Sequence, residues 1–203
     1  MVWPWPWWFV SVGSGSGRDE RLDLGQDLIH GHRLGERAVA QETGSDVDIL
    51  NFALTLEYLE TAFYTRAVGK GRNMSGETMR LVREIRDNET AHVDAITQTI
   101  KGLGGKPVQA PKVGFGDVFT SEKTFLKLAQ TLEDTGVSAY NGAAPSIRSG
   151  QVLAAAGSIV QVEARHAALI RLMRGVTPAP SAFDPALDQQ KVLAAVKPFV
   201  LAA

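Results

Sequence analysis

The sequence predicts an all-α fold: a four-helix bundle with a long crossover between helices 2 and 3 and a short C-terminal helix. Three observations carry this. Four stretches place apolar residues at helical spacing, each bounded by start and stop signals. The links between them run short, long, short. From Gly44 onward, no stretch shows the period-two alternation of a half-buried strand.

The first helix opens at Ser45, a capping residue, with Asp48 three positions on and able to reach back to the cap amide. Ile49, Leu50, Phe52, Ala53, Leu54, Leu56, Leu59, Ala62 and Phe63 then follow without a breaker until Gly69, giving a helix of about 22 residues. Ser75 opens the second, with Glu77 in its first turn where the helix dipole favours an acid. Its apolar face runs from Leu81 to Ile100, and Gly102, Gly104 and Gly105 stop it. Thr120 or Ser121 caps the third, which continues through Phe125, Leu132 and Val137 to near Ala143; Pro145 and Gly150 mark the break. The fourth spans Gln151 to Arg174-Gly175. Prolines 178, 180 and 185 follow, then a short amphipathic stretch, Leu187–Val196, ends before Pro198.

Short links make helices 1 and 2 an antiparallel pair, and helices 3 and 4 another. Lys106–Thr120 holds Pro107, Pro111, Gly114 and Gly116 and is long enough to cross the length of the bundle. Residues 1–43 are expected to be an irregular or flexible N-terminal segment, and residues 44–203 the bundle domain. Trp3–Trp8 crowds four tryptophans and two prolines ahead of a Gly-Ser run, with no Lys or Arg before Arg18. An export signal needs a positive start and an uninterrupted apolar stretch, so this reads as a tail and leaves localisation open, cytoplasmic or exported.

Composition narrows the chemistry. The 203 residues carry 21 basic and 22 acidic side chains, so no basic footprint for nucleic acid is expected. No apolar run reaches the roughly 18 residues of a membrane span. The absence of cysteine excludes disulfides, thiolate zinc sites and iron–sulfur clusters. Of the four histidines, His30 and His32 sit in the glycine-flanked N-terminal segment and read as solvated.

The other two lie in paired motifs. Helix 2 contains Glu89-Thr-Ala-His92 and helix 4 contains Glu163-Ala-Arg-His166. Residues three apart share a helix face, so each pair can present a carboxylate and an imidazole to one point. Isoleucine stands four residues before each Glu, at Ile85 and Ile159, which turns these faces toward the core. Arg83 and Arg165 fall on the outer faces. Helices 1 and 3 each carry Leu-Glu with Tyr seven residues on: Glu57 with Tyr64, and Glu133 with Tyr140. Glu57 and Tyr64 precede Glu133 and Tyr140 by 76 residues; Glu89 and His92 precede Glu163 and His166 by 74. One helical hairpin, with its polar face, occurs twice.

Such faces meeting in one core would bury four carboxylates, each costing several kcal/mol if unpaired. Two divalent cations would balance them, with two neutral imidazoles completing the ligand set. Oxygen and imidazole donors suit iron or manganese better than zinc. Glu60, one turn past Glu57, reads as a ligand, a neighbouring acid or a solvated rim charge. The repeat places Gly136 opposite it and so favours Glu57 as the ligand of that helix.

A Glu from each of two helices with Glu-x-x-His from each of the other two resembles the ferritin-like superfamily. Asn51-Phe-Ala-Leu-Thr-Leu-Glu-Tyr-Leu-Glu-Thr-Ala-Phe-Tyr64 is similar to its bacterial ferritin-like domain group, which includes desiccation-related proteins. The resemblance runs from about Asp46 to Val200. It implies a dinuclear iron or manganese centre ligated by Glu57, Glu89, His92, Glu133, Glu163 and His166, with Glu89 and Glu163 bridging. It implies that Tyr64 and Tyr140 hydrogen-bond ligand carboxylates. It implies redox activity toward oxygen or peroxide, ferroxidase-like or catalase-like, in oxidative or desiccation stress. A second reading keeps the bundle as a non-catalytic stress protein with a structural or vestigial metal site. Helix faces left apolar outside the core suggest a homodimer.

Overall fold

Local signals decide where each helix begins. The computed structural model describes residues 45–201. Helix α1 (Asp46–Lys70) follows Ser45, whose hydroxyl accepts from the Asp48 amide while the Asp48 carboxylate accepts from the Ser45 amide at 2.8 Å. The reciprocal pair satisfies two amides that the helix itself leaves open. Helix α2 (Gly76–Gly102) follows Ser75, which accepts from the Thr78 amide at 3.1 Å. Helix α3 (Glu122–Ala143) follows Ser121, but neither its side chain nor that of Thr120 caps the helix as expected, the Thr120 hydroxyl donating to the Asp117 carbonyl instead; α4 (Gly150–Met173) follows Ser149, which caps the Val152 amide. Helix α5 (Gln189–Val196) begins after Asp188, whose carboxylate accepts from the Lys191 amide at 2.9 Å. At the end of α2, Gly104 adopts a φ of 76°, a left-handed conformation that glycine reaches without strain.

Helix α1 packs along α2, and α3 along α4, in the two expected hairpins; α5 lies on α3. The fold is all-α, as expected. Boundaries differ in detail. Gly69 does not stop α1, which continues to Lys70. Pro145 sits in a single 3-10 turn, Ala144–Ser146, that carries the chain out of α3. The C-terminal helix starts two residues later than Leu187, where the Asp188 cap permits it. No helix among the described residues is long and apolar enough to cross a membrane. The N-terminal segment of residues 1–43, including the tryptophan cluster, His30 and His32, lies outside the described residues.

The crossover between α2 and α3 does more than connect. Val113, Phe115 and Phe119 are buried in the core. Phe115 meets Phe63 edge-on at 5.1 Å between ring centres, and Phe125 stacks on Phe63 at 5.0 Å. Such aromatic pairs add about 0.5–1.5 kcal/mol beyond burial alone. The C-terminal segment ties this crossover down. The Gly114 amide donates to the Phe199 carbonyl at 2.9 Å, and the Leu201 amide to the Lys112 carbonyl at 2.8 Å.

Before α5, the tail crosses α3 at Gly142. The Leu187 amide donates to the Ser138 carbonyl at 3.0 Å, and a Cβ at residue 142 would stand 1.9 Å from the Leu187 carbonyl oxygen. Backbone against backbone cannot yield cheaply. Gly142→Ala is therefore expected to lower stability by about 1–3 kcal/mol and to lift the tail. Thermal denaturation and limited proteolysis of residues 176–188 check this; unchanged melting and an equally resistant tail would contradict it.

Candidate metal centre

Side chains three apart on a helix face the same way, and the core side of each long helix carries polar groups at one level. Helix α1 contributes Glu57, α2 Glu89 and His92, α3 Glu133, and α4 Glu163 and His166. All four acids are fully buried, with His166 3% and His92 9% exposed. Ile85 and Ile159 are buried on the turn before each pair.

The six side chains come together. His92 Nδ1 lies 3.1 Å from Glu89 Oε2, 3.1 Å from Glu163 Oε1 and 3.3 Å from Glu57 Oε2. His166 Nδ1 lies 2.9 Å from Glu89 Oε1 and 3.3 Å from Glu133 Oε2. Two groups result, each with one donor atom per residue and all donors within 4.8 Å of one another. One is Glu57, Glu89, His92 and Glu163; the other is Glu89, Glu133, Glu163 and His166. Glu89 and Glu163 belong to both.

The inner atoms lack hydrogen-bond partners. Glu57 Oε2, Glu89 Oε1, Glu133 Oε2, both oxygens of Glu163 and Nδ1 of His166 are buried and unbonded. For His166 Nδ1 the oxygens are near, but none meets hydrogen-bond geometry. Atoms that crowd together without bonding one another are suited to a shared third body, a cation. The outer oxygens are held instead. Tyr140 donates to Glu57 Oε1, and Tyr64 donates to Glu133 Oε1. Each tyrosine thus bonds the acid of the opposite helix and leaves that acid's second oxygen turned inward. The donor set of oxygens and imidazoles, without thiolate, fits iron or manganese.

One contact escaped the sequence reading, and one of the three alternatives for Glu60 falls away. Asn88 Nδ2 lies 3.0 Å from Nε2 of His166, an interhelix contact. Glu60 is 3% exposed and therefore not a solvated rim charge. A Cβ at residue 136 would stand 3.2 Å from Glu60 Oε1 and 3.3 Å from Glu163 Oε2, so Gly136 keeps the space these carboxylates use. Its place opposite Glu60 in the repeat was legible; the contact was not.

Without metal, protons are the cations of the centre. Burial opposes a charged imidazole, but Glu163, Glu57 and Glu89 around His92 outweigh it and raise it to about 12. Glu133 and Glu89 similarly raise His166 to about 10. Burial would push Glu89 up, yet the two imidazoles bring it down to about 2. Burial and the Glu89 charge raise Glu163 to about 8. Burial also pushes Glu57, Glu60 and Glu133 upward, with neighbouring acids adding to it. Tyr64 and Tyr140 are raised by burial and then by the acids they bond, so both stay phenols.

Comparison with known proteins agrees with this architecture. A family model described as a ferritin-like domain matches residues 45–176. The crystal structure of a conserved hypothetical protein from Mycobacterium tuberculosis is similar at 18% identity, with a TM-score of 0.57. The match covers 68% of this chain and 96% of that one. At that identity the likeness shows the fold alone. No curated protein matches the chain.

The stability of the metal-free protein should follow these proton affinities. Raised carboxyls such as Glu163 keep protons that the unfolded chain gives up above 4.5, so their stabilisation fades as pH rises from 4.5 to about 8. The raised imidazoles stabilise fully below 6.5, and this is lost as pH rises toward about 10 and about 12. Glu89 acts oppositely: its contribution stands above 4.5 and is lost as pH falls toward about 2. Calorimetry of the chelator-treated protein should therefore find the highest melting temperature near pH 4.5, declining as pH rises from there. A melting temperature that climbs steadily from there into alkaline pH would contradict the proton-filled core.

Proposed function

We propose that this chain, which belongs to the ferritin-like domain family, holds two iron or manganese ions among its four long helices and carries out redox chemistry on oxygen or peroxide. One observation carries the reading: Glu89 and Glu163 each belong to both groups of converging donors. Two carboxylates common to two sites are suited to bridging a pair of ions. Glu57 with His92 would complete one position, and Glu133 with His166 the other. Four carboxylate charges would balance two divalent cations, removing the cost of burying them unpaired.

When bound, such ions supply successive one-electron steps toward oxygen or peroxide. The protein's own groups do the rest. Tyr140 and Tyr64 hold the terminal carboxylates by one oxygen and aim the other inward. Glu89 Oε1 and both oxygens of Glu163 make no hydrogen bond, while Glu89 Oε2 bonds His92 Nδ1, so these two acids would offer free oxygens to the ions. Burial of Ile85, Phe63, Leu132 and Ile170 keeps bulk water from the centre. In the absence of metal, burial and the acids around Glu60 oppose its ionisation. The physiological setting we infer from the first-helix motif is oxidative or desiccation stress, with Fe(II) or hydrogen peroxide as substrate.

Elemental analysis of the purified chain should find about two iron or manganese ions per molecule. Glu89→Ala and His166→Ala should each lower metal content sharply, and full occupancy in both variants would reject these ligands. Fe(II) oxidation and peroxide consumption then separate ferroxidase-like from catalase-like action. Metal-loaded protein inert in both assays would leave the ions a structural role only.

A further inference from the structure

We propose that the two metal positions are unequal, and that Asn88 makes them so by orienting His166. The position served by His166 fills first and holds its ion more tightly; the position served by His92 exchanges. This rests on the two-metal reading above and adds an order of filling to it.

The internal repeat reveals the asymmetry. His92 and His166 occupy equivalent places 74 residues apart, yet their outer nitrogens meet different surroundings. Nε2 of His166 has the Asn88 carboxamide at 3.0 Å, and its side chain is 3% exposed. Among the described residues, no side chain bonds Nε2 of His92, and its side chain is 11% exposed. The residue that corresponds to Asn88 in the second hairpin is Val162. A hydrocarbon side chain can neither orient a ring by hydrogen bonding nor choose its tautomer.

The tautomer matters because Nδ1 is the nitrogen among the acids. To bind a cation there, the ring must offer a bare Nδ1 lone pair and carry its proton on Nε2. An acceptor beside Nε2 stabilises that form. The carboxamide of Asn88, 3.0 Å from Nε2, can supply that acceptor. A half turn about Cβ–Cγ exchanges its nitrogen and oxygen, and with the oxygen toward the ring it accepts from Nε2–H, both on the charged ring and when Nδ1 gives its lone pair to an ion. Asn88 also precedes Glu89 on α2, so the helix that supplies a shared acid also restrains the ring on α4. Loss of such an outer partner typically costs about 10–100-fold in metal affinity.

The test is titration of the full chain, stripped of metal, with Mn(II), followed by calorimetry and by electron paramagnetic resonance. Resonance distinguishes isolated ions from a coupled pair. The wild-type chain should take up two ions with affinities about tenfold or more apart, the first appearing as an isolated ion. Asn88→Val should weaken the tight step about 10–100-fold and leave the weak step in place. Asn88→Asp should retain the tight step, because a carboxylate still accepts from Nε2–H; a purely space-filling role would not distinguish Asp from Val in this way. Val162→Asn should narrow the gap between the steps and carries the test even where Asn88→Val does not fold. Two equal affinities in the wild type, or an unaltered tight step in Asn88→Val, would overturn this proposal and leave the two-metal reading standing. Uptake of one ion or none by the wild type would remove both.

Discussion

The constraint on which this molecule depends is the burial of like charge. Glu57, Glu60, Glu89, Glu133 and Glu163 all lie out of water at one level of the bundle. No arrangement of apolar side chains can make that favourable. The centre tolerates it only by filling itself with cations, whether protons on two imidazoles and on the raised carboxyls or metal ions in their place. Exchange of one for the other couples metal uptake to proton release.

The rest of the architecture serves to hold the acids against their repulsion. Each tyrosine bonds across from its own helix to the acid of the opposite one, so the α1–α3 contact is tied by Tyr64 to Glu133 and by Tyr140 to Glu57. One end of the core is closed by Phe63, Phe115, Phe119 and Phe125. Two of those rings come from the crossover, which the C-terminal segment fastens by backbone hydrogen bonds at Gly114 and Leu201. A polar layer thus sits in an otherwise dry, aromatic-ended core, where electrostatic interactions are screened less than in water.

Much of this was legible in the chain because a helix converts spacing into direction. Glu89 with His92 and Glu163 with His166 had to share a face, and the repeat related the two halves before any contact was known. What spacing cannot supply is register between helices. Asn88 lies next to Glu89 in sequence, but its meeting with His166 depends on how far α4 has slid along α2. The depth of Glu60 depended likewise on the missing side chain at Gly136. Phe115 and Phe119 carry no periodic signal, because the crossover holds only one 3-10 turn, Val118–Thr120, too short to impose one. Gly142 resembled any helical glycine until the tail was found lying across it.

The pairing of Glu60 with Gly136 makes the two sides of the centre unequal. A duplicated hairpin could have produced a site with two indistinguishable sides. Instead one half carries an additional acid and the other a glycine against which that acid lies, so the surroundings of the two halves differ. Exchanging the two residues would move that acid from α1 to the equivalent place on α3. The repeated spacing makes the scaffold symmetrical, and single positions such as these give it a front and a back.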